Sequence, residues 1–269
     1  MKKLMLFLTL TMFASTAAQA ETIKVGGSGS MIPLLTILGK AYVKKNPKDS
    51  VEVNQKSMGQ PGGIAALNAG AVDIAMSAMP ITPAQARLQV KAIEIARVAG
   101  VVGVNSKVSV SHLTSQQLCD IYAGKIKNWK QVGGANEPIA ALTRPDSDST
   151  KAMFRSAFAC MADLKEAPEI LNLPKEIDMI NSLSSVHNAI GQINSIALAD
   201  AAGKFKAIKI DGRSHEMMQS GKWPFILHNN LVLGKNRGEA IKRFMNFIKS
   251  PEGQAIIKSE KAIPVAFKF

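Results

Sequence analysis

The chain has 269 residues, 46% of them apolar, with 33 Lys and Arg against 20 Asp and Glu for a formal charge of +13. That apolar share excludes a disordered tail and suffices for one large or two small buried cores. The charge favours anionic partners, but no dense basic run occurs and aromatics are only 5%, which argues against a nucleic-acid-binding surface.

Residues 1–20 read as an address rather than as part of the fold. Met1-Lys2-Lys3 is a positive start, residues 4–18 are uncharged and mostly apolar, and Ala18-Gln19-Ala20 fits a small-x-small cleavage site. The apolar run is too short to span a membrane comfortably, and no later one is long enough. No Cys stands at the cleavage point, so a lipid anchor is not expected. The mature protein is expected free in the periplasm. Setting the 20 residues aside leaves 249, and losing Lys2 and Lys3 leaves a charge of +11. An anion-steering cleft and a solvated basic surface both fit that charge.

In chain order, residues 22–26 predict a strand, 26–30 a Gly/Ser turn, and 31–45 a helix with Leu34, Leu35, Leu38 and Tyr42 near helical spacing. Ser30 is placed to cap that helix. A strand at 51–53 leads through a Gly-rich turn at 57–63 to a helix from 64. A third strand at 72–76 runs into Ser77 and Ala78. The recurring strand, small-residue turn and helix argue for a parallel α/β sheet. Residues 95–104 suit a buried strand. Then come a helix at 113–122, a strand at 139–142, the loop 143–150 and a helix at 151–161. The spacing further predicts a helix at 182–193, strands at 207–210 and 225–233, and helices at 238–248 and 251–258.

Four segments put Ser, Gly or Thr where a strand ends and a helix begins: 28–30, 57–63, 77–78 and 147–150. Helix starts carry unpaired N–H groups and partial positive charge, so they receive anions. Small residues let the backbone approach a ligand, and ligands sit at the open end of an α/β sheet. Arg144 adds a fork of donors suited to a tetrahedral oxyanion. Singly, each Ser is an ordinary cap and Arg144 an ordinary ion-pair partner; the four together carry the argument.

Cys119 and Cys160 are the two cysteines. An oxidising compartment permits a disulfide between them, and two buried thiols are the alternative.

Much of the mature chain resembles the periplasmic phosphate-binding protein of the high-affinity phosphate ABC transporter, a type II periplasmic-binding-protein family. GGSGSMIPLL resembles its first ligand loop, VDIAMSAMPIT its third-strand motif, and TRPDSDSTKAMF its Arg-x-Asp-Gly-Ser-Gly-Thr loop. LTSQQLCDIYAGKIKNWKQVGG is close to a family signature. WPFILHNNLVL resembles the return crossing between lobes, and FMNFIKSPEGQAIIKSEKAIPV the C-terminal helices. Residues 162–200 are the weak region, with Asn194-Ser195-Ile196-Ala197-Leu198 where Gly-Ala-Ile-Gly-Tyr is usual.

The resemblance implies an α/β fold of two lobes with a ligand cleft between them, crossed near residues 100–105 and 223–233. Lobe one would hold 21–103 and 224–269, and lobe two 104–223. The ligand is clamped as the lobes close. The implied ligand residues are Ser28, Ser30, Met31, Gln60, Gly62, Ser77, Arg144, Asp148, Ser149 and Thr150. Three positions depart from the pattern: Gln60 stands where a Ser is usual, Ala78 where many members carry an Asp that accepts the ligand's proton, and Asp148 where a Ser donates. Asp148 is expected to take over the acceptor role lost at Ala78, since a carboxylate beside an oxyanion is costly unless the ligand brings a proton. Expected partners are inorganic phosphate or a similar oxyanion and a membrane ABC permease. No cofactor, metal or nucleic acid is expected, and the chain is expected to be monomeric.

Rival readings are weaker. Met31, Met58, Met76 and Met79 lie near the ligand loops and would suit Cu(I), although Met commonly just fills gaps. His112, His187, His215 and His228 are scattered, with His187 placed in the helix at 182–193. No Gly-x-Ser-x-Gly elbow or Cys/His arrangement marks an enzyme. A sensor or adhesion module on the same fold, for a different small ligand, is the alternative.

Overall fold

The computed structural model describes residues 21–199, 201–235 and 237–269, so the expected address at 1–20 lies outside them. β1 (Thr22–Gly27) leads through a 3-10 turn (Gly29–Met31) into α1 (Ile32–Lys45). Pro33 starts α1 well, Lys44 and Lys45 suit its last turn, and Leu34, Leu35, Leu38 and Tyr42 are buried along one face. β2 (Ser50–Val53), α2 (Gly59–Asn68), β3 (Ile74–Ser77) and the short α3 (Pro83–Ala86) follow. The β-branched run becomes β4 (Lys91–Asn105).

β5 (His112–Leu113), α4 (Ser115–Tyr122), β6 (Ala140–Thr143), α5 (Ser149–Ala157), β7 (Leu171–Asn172), α6 (Glu176–Ser185), β8 (Ala189–Asn194), α7 (Ser195–Ala199), β9 (Phe205–Ala207) and β10 (Lys209–Ile210) form the middle of the chain. β11 (Ile226–Leu233), α8 (Glu239–Lys249), α9 (Pro251–Ser259) and β12 (Ile263–Pro264) close it. Among the described residues no helix is long and apolar enough to cross a membrane.

The strand order β2-β1-β3-β11-β4-β8-β6-β7 makes one curled sheet in which β4 serves both halves. From Lys91 to Ala99 β4 pairs antiparallel with β11, and from Gly100 to Val104 it pairs with β8. Its burial follows suit: every residue from Val98 to Asn105 is buried, as a strand covered on both faces requires. β1 is parallel to β2 and β3, and β6 is parallel to β7 and β8, so each half has its own set of strand ends facing the gap between them. The architecture is the two-lobed α/β fold expected.

Tyr42 of α1 packs at a tilt against Phe244 and Phe247 of α8. At the junction, Trp223 donates its indole N–H to the Gly100 carbonyl at 3.0 Å and meets Phe225 edge-on. Phe225 in turn packs on Phe154 of α5 and on Phe158, the residue that caps its C-terminus. This aromatic cluster holds the C-terminal half of α5 against the junction.

Three local expectations need correction. The helix read at 182–193 is two elements: α6 ends at Ser185, and Ala189–Asn194 is β8, buried along its whole length between β4 and β6. Its small and apolar residues suit either period, and only the two neighbouring strands decide. His187 consequently falls in the connecting turn, not in a helix. Residues 207–210 split into β9 and β10, which pair with different strands, β4 and β5. Finally, α2 begins at Gly59, five residues ahead of the expected start, inside the Gly-rich segment.

Cys119 of α4 and Cys160 of the 3-10 turn Ala159–Met161 are joined in a disulfide, with Cα atoms 6.1 Å apart.

Candidate functional site

β6 delivers Arg144 at its end, and the loop after it turns into α5. Asp148 is the N-cap: its Oδ1 accepts the N–H groups of Thr150 (2.9 Å) and Lys151 (3.1 Å). Its Oδ2 accepts Nε–H (3.2 Å) and Nη2–H (2.9 Å) of Arg144. Arg144, 1% exposed, also donates from Nη1 to the Leu173 carbonyl at 3.0 Å. Its Nη2 lies 3.5 Å from Glu176 Oε2. Lys151 is buried too, but its ammonium is spent on the Arg144 carbonyl, Glu166 and Asp146. The hydrogen bond from Lys151 holds the Asp146 carboxyl below the usual carboxylate range.

On the other side of the gap β1 ends at Gly27, whose φ of +142° and distance of 2.3 Å from a would-be Cβ to the Met76 carbonyl admit only glycine. Ser28 follows. Its Oγ accepts the Ala78 N–H (3.3 Å) and the Ser149 hydroxyl (3.0 Å), a bond that links the start of α5 to the end of β1. The Met31 N–H donates to the Ser28 carbonyl. α5 packs on the turn Gly29–Met31. The start of α2 also arrives here: a Cβ on Gly59 would sit 3.1 Å from the Ser147 carbonyl.

Two hydroxyls in this meeting place are buried and bond to nothing among the described residues: Ser30 Oγ and Thr150 Oγ1. Orphaned buried polar atoms are rare and costly. A groove of about 430 Å³ is lined by Gly29, the chain neighbour of Ser30, by Ser57, and by Arg144 and Glu176. The arrangement offers hydroxyls, a helix start and a guanidinium, the donor set for an oxyanion.

The sequence-chosen residues divide accordingly. Ser28, Ser30, Met31, Arg144, Asp148, Ser149 and Thr150 come together. Ser77 does not offer its hydroxyl, which donates to the Met79 carbonyl at 2.6 Å. The Gln60 amide donates to the Pro80 carbonyl and Gln85. Gly62 lies within α2 against Met58. Ser30 does not cap α1, because the 3-10 turn holds it one residue ahead of the cap position, which Met31 takes without a side-chain bond. Asp148 has both lone pairs of each oxygen engaged, so it has no acceptor left for a ligand proton; the role foreseen for it is corrected. Met31 and Met76 are fully buried core residues.

Sequence reasoning missed Glu176. Acidic Glu176 and Asp178 after Pro174 are a helix-start signal, hidden by placing the helix at 182–193. Burial pushes the Glu176 carboxyl up to about 7, against the downward pull of Arg144 and with Asp148 pushing it further up.

The PBP superfamily domain matches residues 14–252. The chain belongs to the PBP superfamily. This superfamily member is 28% identical over 251 residues to the phosphate-binding protein PstS of Bacillus subtilis (strain 168), covering 91% of this chain and 81% of the relative. Its fold is similar to a putative phosphate ABC transporter substrate-binding protein of Clostridium perfringens with bound phosphate. The TM-score is 0.81 at 27% identity, over 91% of this chain and 99% of the other. It is also similar to an ABC-type phosphate transport receptor of Vibrio cholerae, with a TM-score of 0.71 at 28% identity over 90% and 99% of the two chains.

Proposed function

We propose that this PBP superfamily protein is an exported solute-binding protein that captures inorganic phosphate, or a similar tetrahedral oxyanion, and delivers it to a membrane ABC permease. One observation carries the reading. Two buried hydroxyls without partners among the described residues, Ser30 and Thr150, stand at the starts of elements from opposite halves, and Gly29 next to Ser30 lines the same groove as Arg144. A fold shared with a phosphate-loaded relative at a TM-score of 0.81 supports it.

Ser28, Ser30, Arg144, Ser149 and Thr150 are the proposed ligand contacts, with Asp148 holding the guanidinium in place. The lobes are taken as residues 21–103 with 224–269, and 104–223. The change of partner along β4 supports this division and favours a crossing a few residues earlier, between Ala99 and Gly100. Binding rather than catalysis is supported by the names of the relatives and by the joining of both thiols in a disulfide. The charged start and small-x-small site in residues 1–20 support export to the periplasm.

A thermal-shift series with phosphate, arsenate, sulfate, a phosphonate and tungstate tests this. Phosphate at about a thousand times its Kd is expected to add about 4 kcal/mol to stability. Thr150→Val removes the orphaned hydroxyl while keeping its volume. It is expected to weaken phosphate binding roughly 10- to 100-fold, as loss of a hydrogen bond to a charged group does, without lowering the melting temperature of the ligand-free protein. A phosphate-insensitive wild-type melting temperature would refute the assignment.

A further inference from the structure

We infer that Glu176 is a ligand-contacting residue that takes up one proton when the oxyanion binds and then donates Oε2–H to a ligand oxygen. The inference rests on the phosphate reading above and deepens it.

Glu176 opens α6, and its side chain, 10% exposed, lines the groove with Arg144. Its Oε1 accepts the Asn194 amide at 3.1 Å, which fixes the carboxyl plane. Its Oε2 is buried, faces Arg144 Nη2 at 3.5 Å and makes no hydrogen bond among the described residues. An unbonded buried carboxyl oxygen at the wall of a ligand groove is a contact waiting for a donor or, once protonated, for an acceptor.

Charge decides between the two. Arg144 faces Glu176 from the end of β6, Asp148 from the cap of α5, and uncharged Asn194 from β8. On its own element Lys175 precedes it and Asp178 shares its first turn. Arg144 is already matched by Asp148 through two hydrogen bonds to one oxygen. An ionised Glu176 makes the trio net negative, and an arriving anion would be repelled at close range in a poorly solvated place. A protonated Glu176 leaves the trio neutral and supplies the missing donor. Burial already brings the carboxyl to about 7, so the proton comes from solvent at little cost, and an adjacent dianion tightens its hold. The step balances as protein, proton and anion combining into one complex.

The test is calorimetry with phosphate on the wild type and on Glu176→Gln, whose amide keeps a neutral donor but binds no proton. Between about pH 8 and about pH 9.5 the phosphate dianion does not titrate. There the wild type is expected to take up roughly one proton per phosphate, read from buffers of different ionisation enthalpy, and to lose affinity roughly tenfold per pH unit. Glu176→Gln is expected to bind with neither effect. If it shows the same proton uptake and the same slope, Glu176 is not the group. If neither protein gives heat with phosphate, the phosphate assignment falls and this inference falls with it. Carbon-13 titration of the Glu176 carboxyl in the wild type alone provides a readout independent of the variant: its midpoint must rise when phosphate saturates the protein, and an unmoved midpoint overturns the inference.

Discussion

At the scale of single residues, the site joins two kinds of group, hydroxyls left without partners and charges that already have them. Thr150 and Ser30 belong to the first kind, Arg144, Asp148 and Lys151 to the second. Glu176 belongs to both. Its raised affinity for a proton has a consequence for stability that needs no ligand. The folded carboxyl holds its proton up to about pH 7, whereas a free one releases it near 4.5. Below the lower value both states are protonated and the folded state gains fully; that gain is lost as pH rises through the upper value. At about 1.4 kcal/mol per unit, the loss approaches about 3 kcal/mol. Glu176→Gln is therefore expected to be more stable than the wild type at about pH 8.5, with the gap closing toward pH 5. Urea midpoints across that range check this, and a pH-independent gap would contradict it. None of this was visible in the sequence. Glu176 is one of 20 acidic residues, and only Arg144, Asp148 and Asn194, brought from three other elements, single it out.

At the scale of elements, helices and strands with strong periodicity were legible. α1, α8 and α9 lie within a residue at either end of the ranges read from the sequence. Where the pattern was ambiguous, neighbours decided: Ala189–Asn194 became a strand because β4 and β6 flank it. The cysteines show the same limit. Their identity permitted a disulfide, and the folding of α4 against the turn at Ala159–Met161 brings them within reach. The bridge closes a separation of 41 residues behind α5, the helix whose start holds the site. Loop-closure entropy for that length gives about 4 kcal/mol. Replacing both cysteines by Ser is expected to lower unfolding stability by about 3–4 kcal/mol in guanidinium titrations, while phosphate still raises the melting temperature. Reductant is expected to reproduce the loss in the wild type and do nothing to the variant.

At the scale of the whole molecule, the charge of +11 left once Lys2 and Lys3 are set aside is carried by a chain whose site cations are largely neutralised by Asp148, Glu166 and Asp146. Long-range attraction must then come from the scattered lysines rather than from the site. Phosphate association measured by stopped flow is expected to slow, on the order of tenfold, from low to physiological ionic strength, as screening shortens the field. A salt-independent rate would assign those lysines to solubility alone.

The order of residues alone settled the α/β class, the resemblance to a two-lobed binding family, and most of the donors of the candidate site, because periodicity, small-residue turns and helix-start signals are local properties. The fold decided which donors remain free. Ser77 and Gln60 spend theirs on nearby backbone and side chains, Asp148 spends all its lone pairs on Arg144 and the start of α5, and Ser30, Thr150 and Glu176 keep theirs. A residue's capacity to bond is written in its type, but whether that capacity is already used depends on atoms that only long-range packing brings near.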